Sequence, residues 1–180
     1  ETPVNSIPLA LQRVFYSLQI DSNPVDTKEL TKSFGWGTMD SFTQHDVQEL
    51  ARVLSDNLEK KMDKTSLKGT MKMLFEGTVK NYIKCTNVPY ESSSTESFYD
   101  IQVNVKGCKN VYDSFQQYIT DELLSGENQY KADKYGLQDA KKGCIFVKYP
   151  PVLTLHLKRF EYDPYKDAMQ KINDRYEFPI

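Results

Sequence analysis

Four polar residues crowd one short stretch of the chain, Gln44, Asp46, Gln48 and Glu49 in SFTQHDVQEL. They open a segment, Ser41 to Met62, in which Val47, Leu50, Val53, Leu54 and Leu58 keep one apolar face, so the spacing predicts a helix. Carboxylates and amides gathered at a helix start can hydrogen-bond a peptide backbone laid across it. They can equally be a solvated face whose acids complement the positive end of the helix dipole, and residue types alone favour that second reading.

Nucleophilic chemistry would need an activated thiol and a base. The cysteines are Cys85, Cys108 and Cys144, and the histidines are His45 and His156. None of the cysteines opens a helix after a glycine-rich turn, the setting that lowers a thiol pKa. Cys144 begins an apolar run and reads as a small core residue, while Cys108 sits in the turn KGCKN. His45 lies beside Asp46 at the helix start, and His156 lies between Leu155 and Leu157 in a strand pattern, so both read as packed or surface histidines. No CxxC or HxxxH pair is present, and no metal site or other cofactor is expected. Three widely spaced cysteines fit free thiols in a reducing, intracellular compartment better than a disulfide framework.

The elements that must position these residues follow from periodicity. In SIPLALQRVFYSLQI, Leu11, Val14, Phe15 and Leu18 predict a helix opened by Ser6 as N-cap, and a short helix is expected over Thr27 to Ser33. Gly35-Trp36-Gly37 is a turn-rich elbow. Strand texture begins after Gly77. Val79, Tyr82 and Ile83 precede Cys85, PYESSSTES reads as a polar flexible loop, and Phe98 to Val105 alternates like a half-buried strand. A helix is predicted over Val111 to Glu122. Gly143 to Tyr149, Val152 to Tyr162 and Met169 to Phe178 read as strands. Helices precede strands, which predicts an α+β fold rather than a βαβ array. With 23 Lys and Arg against 25 Asp and Glu, the near-neutral balance argues against a nucleic-acid partner. No apolar run approaches a membrane span, and no signal peptide is read at the start of the chain.

Taken together, SFGW, QHDVQEL, PPVLTLHLKRFEYD and KINDRYEFP resemble the signatures of ubiquitin-specific proteases, deubiquitinating cysteine proteases, and the resemblance covers essentially the whole chain. SIPLALQRVFYSLQ, TKELTKSFGW and LQDAKKG are similar to the subgroup of the herpesvirus-associated enzyme and its fungal and plant relatives. The resemblance implies part of a papain-like fold of thumb, fingers and palm. Thumb helices would occupy about 1–76, fingers with an intervening helix about 77–142, and palm strands about 143–180. It also implies hydrolysis of the peptide or isopeptide bond after the C-terminal glycine of ubiquitin, by a thiolate nucleophile, a histidine and an oxyanion hole. The family's Cys and Gly-Gly-His-Tyr boxes are not found here. No catalytic residue is carried over, those residues are expected in flanking segments, and the isolated chain is expected to be inactive.

What carries over is a ubiquitin tail channel formed by Trp36, Gln44, Asp46, Gln48, Glu49, Arg159 and Phe160. The family's finger zinc positions align with Cys85, Val88, Ala132 and Tyr135, leaving one ligand of four, so the resemblance implies fingers held by packing alone. The implied partners are ubiquitin and ubiquitinated proteins, and the implied location is the nucleus, the cytoplasm or both. The alternative is a catalytically inactive ubiquitin-binding or interaction module.

Overall fold

The computed structural model describes residues 6–35 and 47–179 of the 180-residue chain. The chain divides into two compact units, Glu1–Met73 and Leu74–Ile180.

The first unit is helical. Helix α1 (Ile7–Ile20) starts at Ser6, whose carbonyl accepts the Ala10 N–H at 2.9 Å. Ser6 is the N-cap, as the spacing predicts, although its side chain makes no capping hydrogen bond. The α1 stripe is covered at Ile7 and Ala10 and half-buried at Leu11 and Val14, whereas Phe15 and Leu18, expected on the same buried face, are more than half exposed. Helix α2 (Lys28–Ser33) is joined to α1 by an Arg13–Glu29 ion pair at 3.4 Å. Helix α3 (Val47–Met62) matches the described part of the strongest sequence periodicity and also packs on α1. Helix α4 (Thr70–Phe75), which the division between units crosses, carries too few residues for a periodic signal.

The second unit is built on a four-stranded antiparallel sheet ordered β2-β1-β7-β4, from β1 (Gly77–Cys85), β2 (Glu91–Phe98), β7 (Ala140–Lys148) and β4 (Glu122–Leu124). Here the expected Ser-rich loop is a strand. Eight consecutive pairs, from Gly77↔Phe98 to Lys84↔Glu91, lock it to β1. The alternation that announces a strand is missing because β2 is an edge strand with most of its side chains in solvent.

Strand β3 (Asp100–Asn104) pairs not with β1 but in parallel with β8 (Thr154–Lys158). The run read as one strand over 152–162 breaks at Arg159, and β9 (Phe160–Asp163) then pairs with β10 (Ala168–Lys171). Strand β10 ends well before Phe178. A small ribbon, β5 (Tyr130–Ala132) with β6 (Gly136–Gln138), completes the strands.

Helix α5 (Val111–Ile119) is shorter than expected, because Thr120 turns to extended backbone and Glu122 enters β4. Its start is doubly capped. Asn110 Oδ1 accepts the Asp113 N–H at 2.9 Å, and Asp113 Oδ2 accepts the Lys109 N–H at 3.0 Å. Beneath it Val105, Cys108, Val111 and Tyr176 are buried together, with Phe115, Leu155, Leu157 and Ile172 against them. Phe146 on β7 links sheet and helix, its ring 5.8 Å from Phe115, 5.6 Å from Tyr118 and 5.7 Å from Phe98.

Candidate functional site

Gln48 and Glu49 share the first turn of α3, Gln48 half-buried and Glu49 exposed. Trp36, Gln44 and Asp46 lie outside the described residues, so the helix start is seen only from Val47 onward. Glu49 supplies a carboxylate in the first turn, which either a helix dipole or an extended ligand can use.

Arg159 and Phe160 belong to the second unit, at the break between β8 and β9. The break is made by the backbone, since the Arg159 N–H turns back onto the Leu157 carbonyl at 2.8 Å and ends the parallel ladder. The Arg159 guanidinium is then committed to the chain after β10, donating from Nη1 to the carbonyls of Ile172 at 3.2 Å and Asp174 at 3.1 Å. Its own carbonyl accepts the Ile172 N–H at 2.7 Å. A charged donor bonded to two carbonyls is a firm tie, so Arg159 anchors the backbone that presents Phe160.

The Phe160 ring is 60% exposed. In the β9–β10 register Tyr162 pairs with Met169, two residues along from Phe160 paired with Lys171. Phe160, Tyr162 and Met169 therefore form one apolar strip on one face of the hairpin, each more than half exposed. The Tyr162 hydroxyl donates to Asp167 in the connecting turn, and Lys106 braces the other face through a 2.6 Å ion pair with Glu161.

The three thiols are placed for packing. Cys85 and Cys108 are buried, and Cys144 is half-buried with Sγ 3.8 Å from the Tyr118 carbonyl. Burial pushes the Cys144 thiol pKa up, away from the thiolate form a nucleophile needs. His156 is half-buried on β8, opposite Gln102 of β3.

The positions aligned with a zinc site do come together, without the chemistry of one. Cys85, Ala132 and Ala140 form a buried cluster with Val88, Tyr90 and Tyr130 packed against it. Tyr135 meets the edge of the Tyr90 ring at 6.2 Å. One thiol among valine, alanine and tyrosine does not fit a structural Zn²⁺, which takes four N or S ligands. Among the described residues no group of three or more His, Cys, Asp or Glu is arranged to hold a metal.

Sequence reasoning passed over a brace across the sheet. Tyr82 on β1 reaches over Gly143 on β7, its hydroxyl donating to Asp121 Oδ1 at 2.5 Å, and this hydrogen bond raises the phenol pKa. A Cβ at Gly143 would lie 2.6 Å from that hydroxyl and closer still to the carboxylate, so only glycine leaves the path open. The available signal was a glycine inside a strand pattern, which marks a close approach. Beside the brace is a cavity of about 360 Å³ bordered by Ile83, Ser94, Tyr118, Glu122, Lys142 and Cys144.

Residues 1–180 match the family described as ubiquitin carboxyl-terminal hydrolase. The chain is similar to ubiquitin C-terminal hydrolase 12 of Arabidopsis thaliana, with 61% identity over 180 residues covering 100% of this chain and 16% of that protein. It is 60% identical over 179 residues to ubiquitin carboxyl-terminal hydrolase 15 of Saccharomyces cerevisiae, covering 99% of this chain and 15% of the relative. With ubiquitin carboxyl-terminal hydrolase 7 of Drosophila melanogaster the identity is 59% over 173 residues, or 96% of this chain and 15% of the relative. The chain thus spans about one sixth of the length of these relatives.

Proposed function

Since the chain belongs to the ubiquitin carboxyl-terminal hydrolase family, we propose that it is a binding segment of a deubiquitinase. That enzyme hydrolyses the peptide or isopeptide bond after the C-terminal glycine of ubiquitin, acting on ubiquitinated proteins in the nucleus or cytoplasm. In this reading a cysteine thiolate outside these 180 residues attacks the glycine carbonyl. A tetrahedral oxyanion forms, a histidine protonates the departing amine, and water then releases the thioester. The chain's own contribution is to hold the extended tail of ubiquitin. The observation that carries the reading is the 61% identity over 180 residues, the full length of this chain.

Each unit is assigned its own role in holding the tail, with thumb helices over about 1–76, fingers over about 77–142 and palm strands over about 143–180. From the first, Trp36 supplies an aromatic wall and Gln44, Asp46, Gln48 and Glu49 supply acceptors and donors, with Asp46 taking the backbone or the arginines of the basic tail. From the second, Phe160 supplies an apolar surface on backbone anchored by Arg159. The thiols support the division of labour, because two are buried and burial pushes the pKa of the third up, away from the thiolate form. The fingers are assigned no zinc.

The test is Asp46→Ala in a protein that joins this chain to the nucleophile and histidine boxes. Removing a hydrogen-bond acceptor for the tail leaves the donor on ubiquitin unpaired and costs about 1.5–3 kcal/mol. That is a tenfold to hundredfold drop in kcat/KM with little change in Tm. A lowered Tm, by about 0.3–1 kcal/mol of stability, with unchanged kcat/KM would make Asp46 a helix-dipole residue instead.

A further inference from the structure

The outer edge of the four-stranded sheet carries a feature the proposed hydrolase reading leaves unused. Strand β2 reads ESSSTESF, with Ser93, Ser94, Thr95 and Ser97 exposed, Glu91 and Glu96 among them, and no lysine or arginine. It is terminal in the sheet order, so among the described residues its outer edge has no neighbouring strand.

Pairing fixes what stands behind each hydroxyl. Thr95 is opposite Lys80, Ser93 opposite Tyr82, and Glu91 opposite Lys84. On β7, Lys141 is opposite Lys84 in turn. Residues directly opposite share a face, so Ser93 lies on the side that carries Lys80, Lys84 and Lys141. The Tyr82 ring leaves this spot open, because its hydroxyl is drawn the other way, across Gly143 to Asp121. The Lys80 ammonium reaches along the strand, past Ser93, to the Glu91 carboxylate at 3.6 Å. Lys84 and Lys141 are like charges directly opposed, an arrangement that costs stability unless an anion joins it. Glu91 is the one carboxylate that β2 and β1 place among these lysines in this register.

We propose that Ser93 is a phosphorylation site for an acid-directed protein kinase, and that Lys80 and Lys84 hold the phosphate. Glu91 two residues before Ser93 and Glu96 three residues after it supply the acidic recognition, and the strand is already extended, as a kinase cleft requires. The γ-phosphoryl group of a nucleoside triphosphate passes to Ser93 Oγ. The Oγ–P bond forms as the bond from Pγ to the bridging oxygen breaks, the nucleoside diphosphate leaves, and the hydroxyl proton goes to the kinase's base. The product adds about −1.5 to −2 charges beside the two ammonium groups and draws Lys80 away from Glu91. It offsets the positive charge of the lysines on this face of the sheet and so changes the steering of any charged partner that docks there.

The test uses the purified chain, an acid-directed kinase and magnesium ATP, with the site mapped by peptide mass spectrometry and the phosphate titrated by ³¹P NMR. Phosphate is expected on Ser93 of the native chain and absent from Ser93→Ala. Its second ionisation should lie roughly half a pH unit or more below that of the same phosphopeptide free in solution. In the Lys80→Ala/Lys84→Ala double variant the midpoint should return to the free-peptide value. Labelling only after the chain is unfolded, labelling that persists in Ser93→Ala, or a midpoint indifferent to the lysines would each overturn the proposal.

Discussion

The second unit contains two buried clusters, each with a cysteine at its centre, and they are built on different principles. Around Cys85 the packing is nearly all apolar, with Ala132, Ala140 and Val88 beside it and three tyrosines at the rim. Around Cys108 the apolar residues share their space with a polar network. Buried Ser114 donates to the Asn104 carbonyl at 2.6 Å and is 2.8 Å from the Tyr176 hydroxyl, and Cys108 Sγ lies 3.5 Å from Gln117 Oε1. The first cluster holds only its own end of the sheet. The second reaches the candidate site, because Leu155, Leu157 and Ile172 pack on it and the Arg159 guanidinium closes on the Ile172 and Asp174 carbonyls. A hydrogen-bonded cluster specifies one arrangement where an apolar one tolerates several, and the specified one stands under the residue proposed to touch substrate.

The largest effect should come from Tyr176→Ala. It empties an aromatic site and removes one of the partners of Ser114, at about 3–5 kcal/mol. If the Cys108 cluster supports the site, the chain after β10 should loosen with it, seen as faster amide exchange at Ile172 and at Arg159. A destabilised variant with unchanged exchange there would separate the Cys108 cluster from the site.

A smaller effect is expected at the other cluster. Cys85→Ser puts a hydroxyl among apolar side chains and should cost about 1–3 kcal/mol, with exchange at Ile172 unaffected. A chelator should leave the melting transition of the unmutated chain where it was. A transition lowered by chelation would mean that Cys85 holds a metal and that the apolar description of that cluster fails.

Which parts were legible in the sequence follows the same physics. Helices α1, α3 and α5 and strand β8 showed themselves through a one-sided apolar pattern, and β7 through a short continuous apolar run. The shared place of Cys85, Val88 and Ala132 was legible too, through family positions alone. Strand β2 was not, since edge pairing through the backbone leaves no trace in ESSSTESF beyond Phe98, whose ring packs where a Cβ on Gly77 would stand. The parallel match of β3 with β8 joins residues some fifty positions apart, which no local pattern encodes. The role of Arg159 depended on where Ile172 and Asp174 would lie, so its motif could not show that its side chain serves the backbone. Of the polar residues at the α3 start, Gln48 and Glu49 are where periodicity put them, and Trp36, Gln44 and Asp46 lie outside the described residues.

The most direct measurement is the kinetics of Phe160→Ala, in a protein that carries this chain with the nucleophile and histidine boxes, on a ubiquitin substrate cleaved at its C-terminal glycine. The ring is 60% exposed, so its loss should leave Tm nearly unchanged. If the ring walls the ubiquitin tail, kcat/KM should fall about tenfold to hundredfold, the equivalent of roughly 1.4–2.7 kcal/mol. An unchanged kcat/KM in a fully folded variant would contradict the assignment of this chain as the holder of ubiquitin's tail.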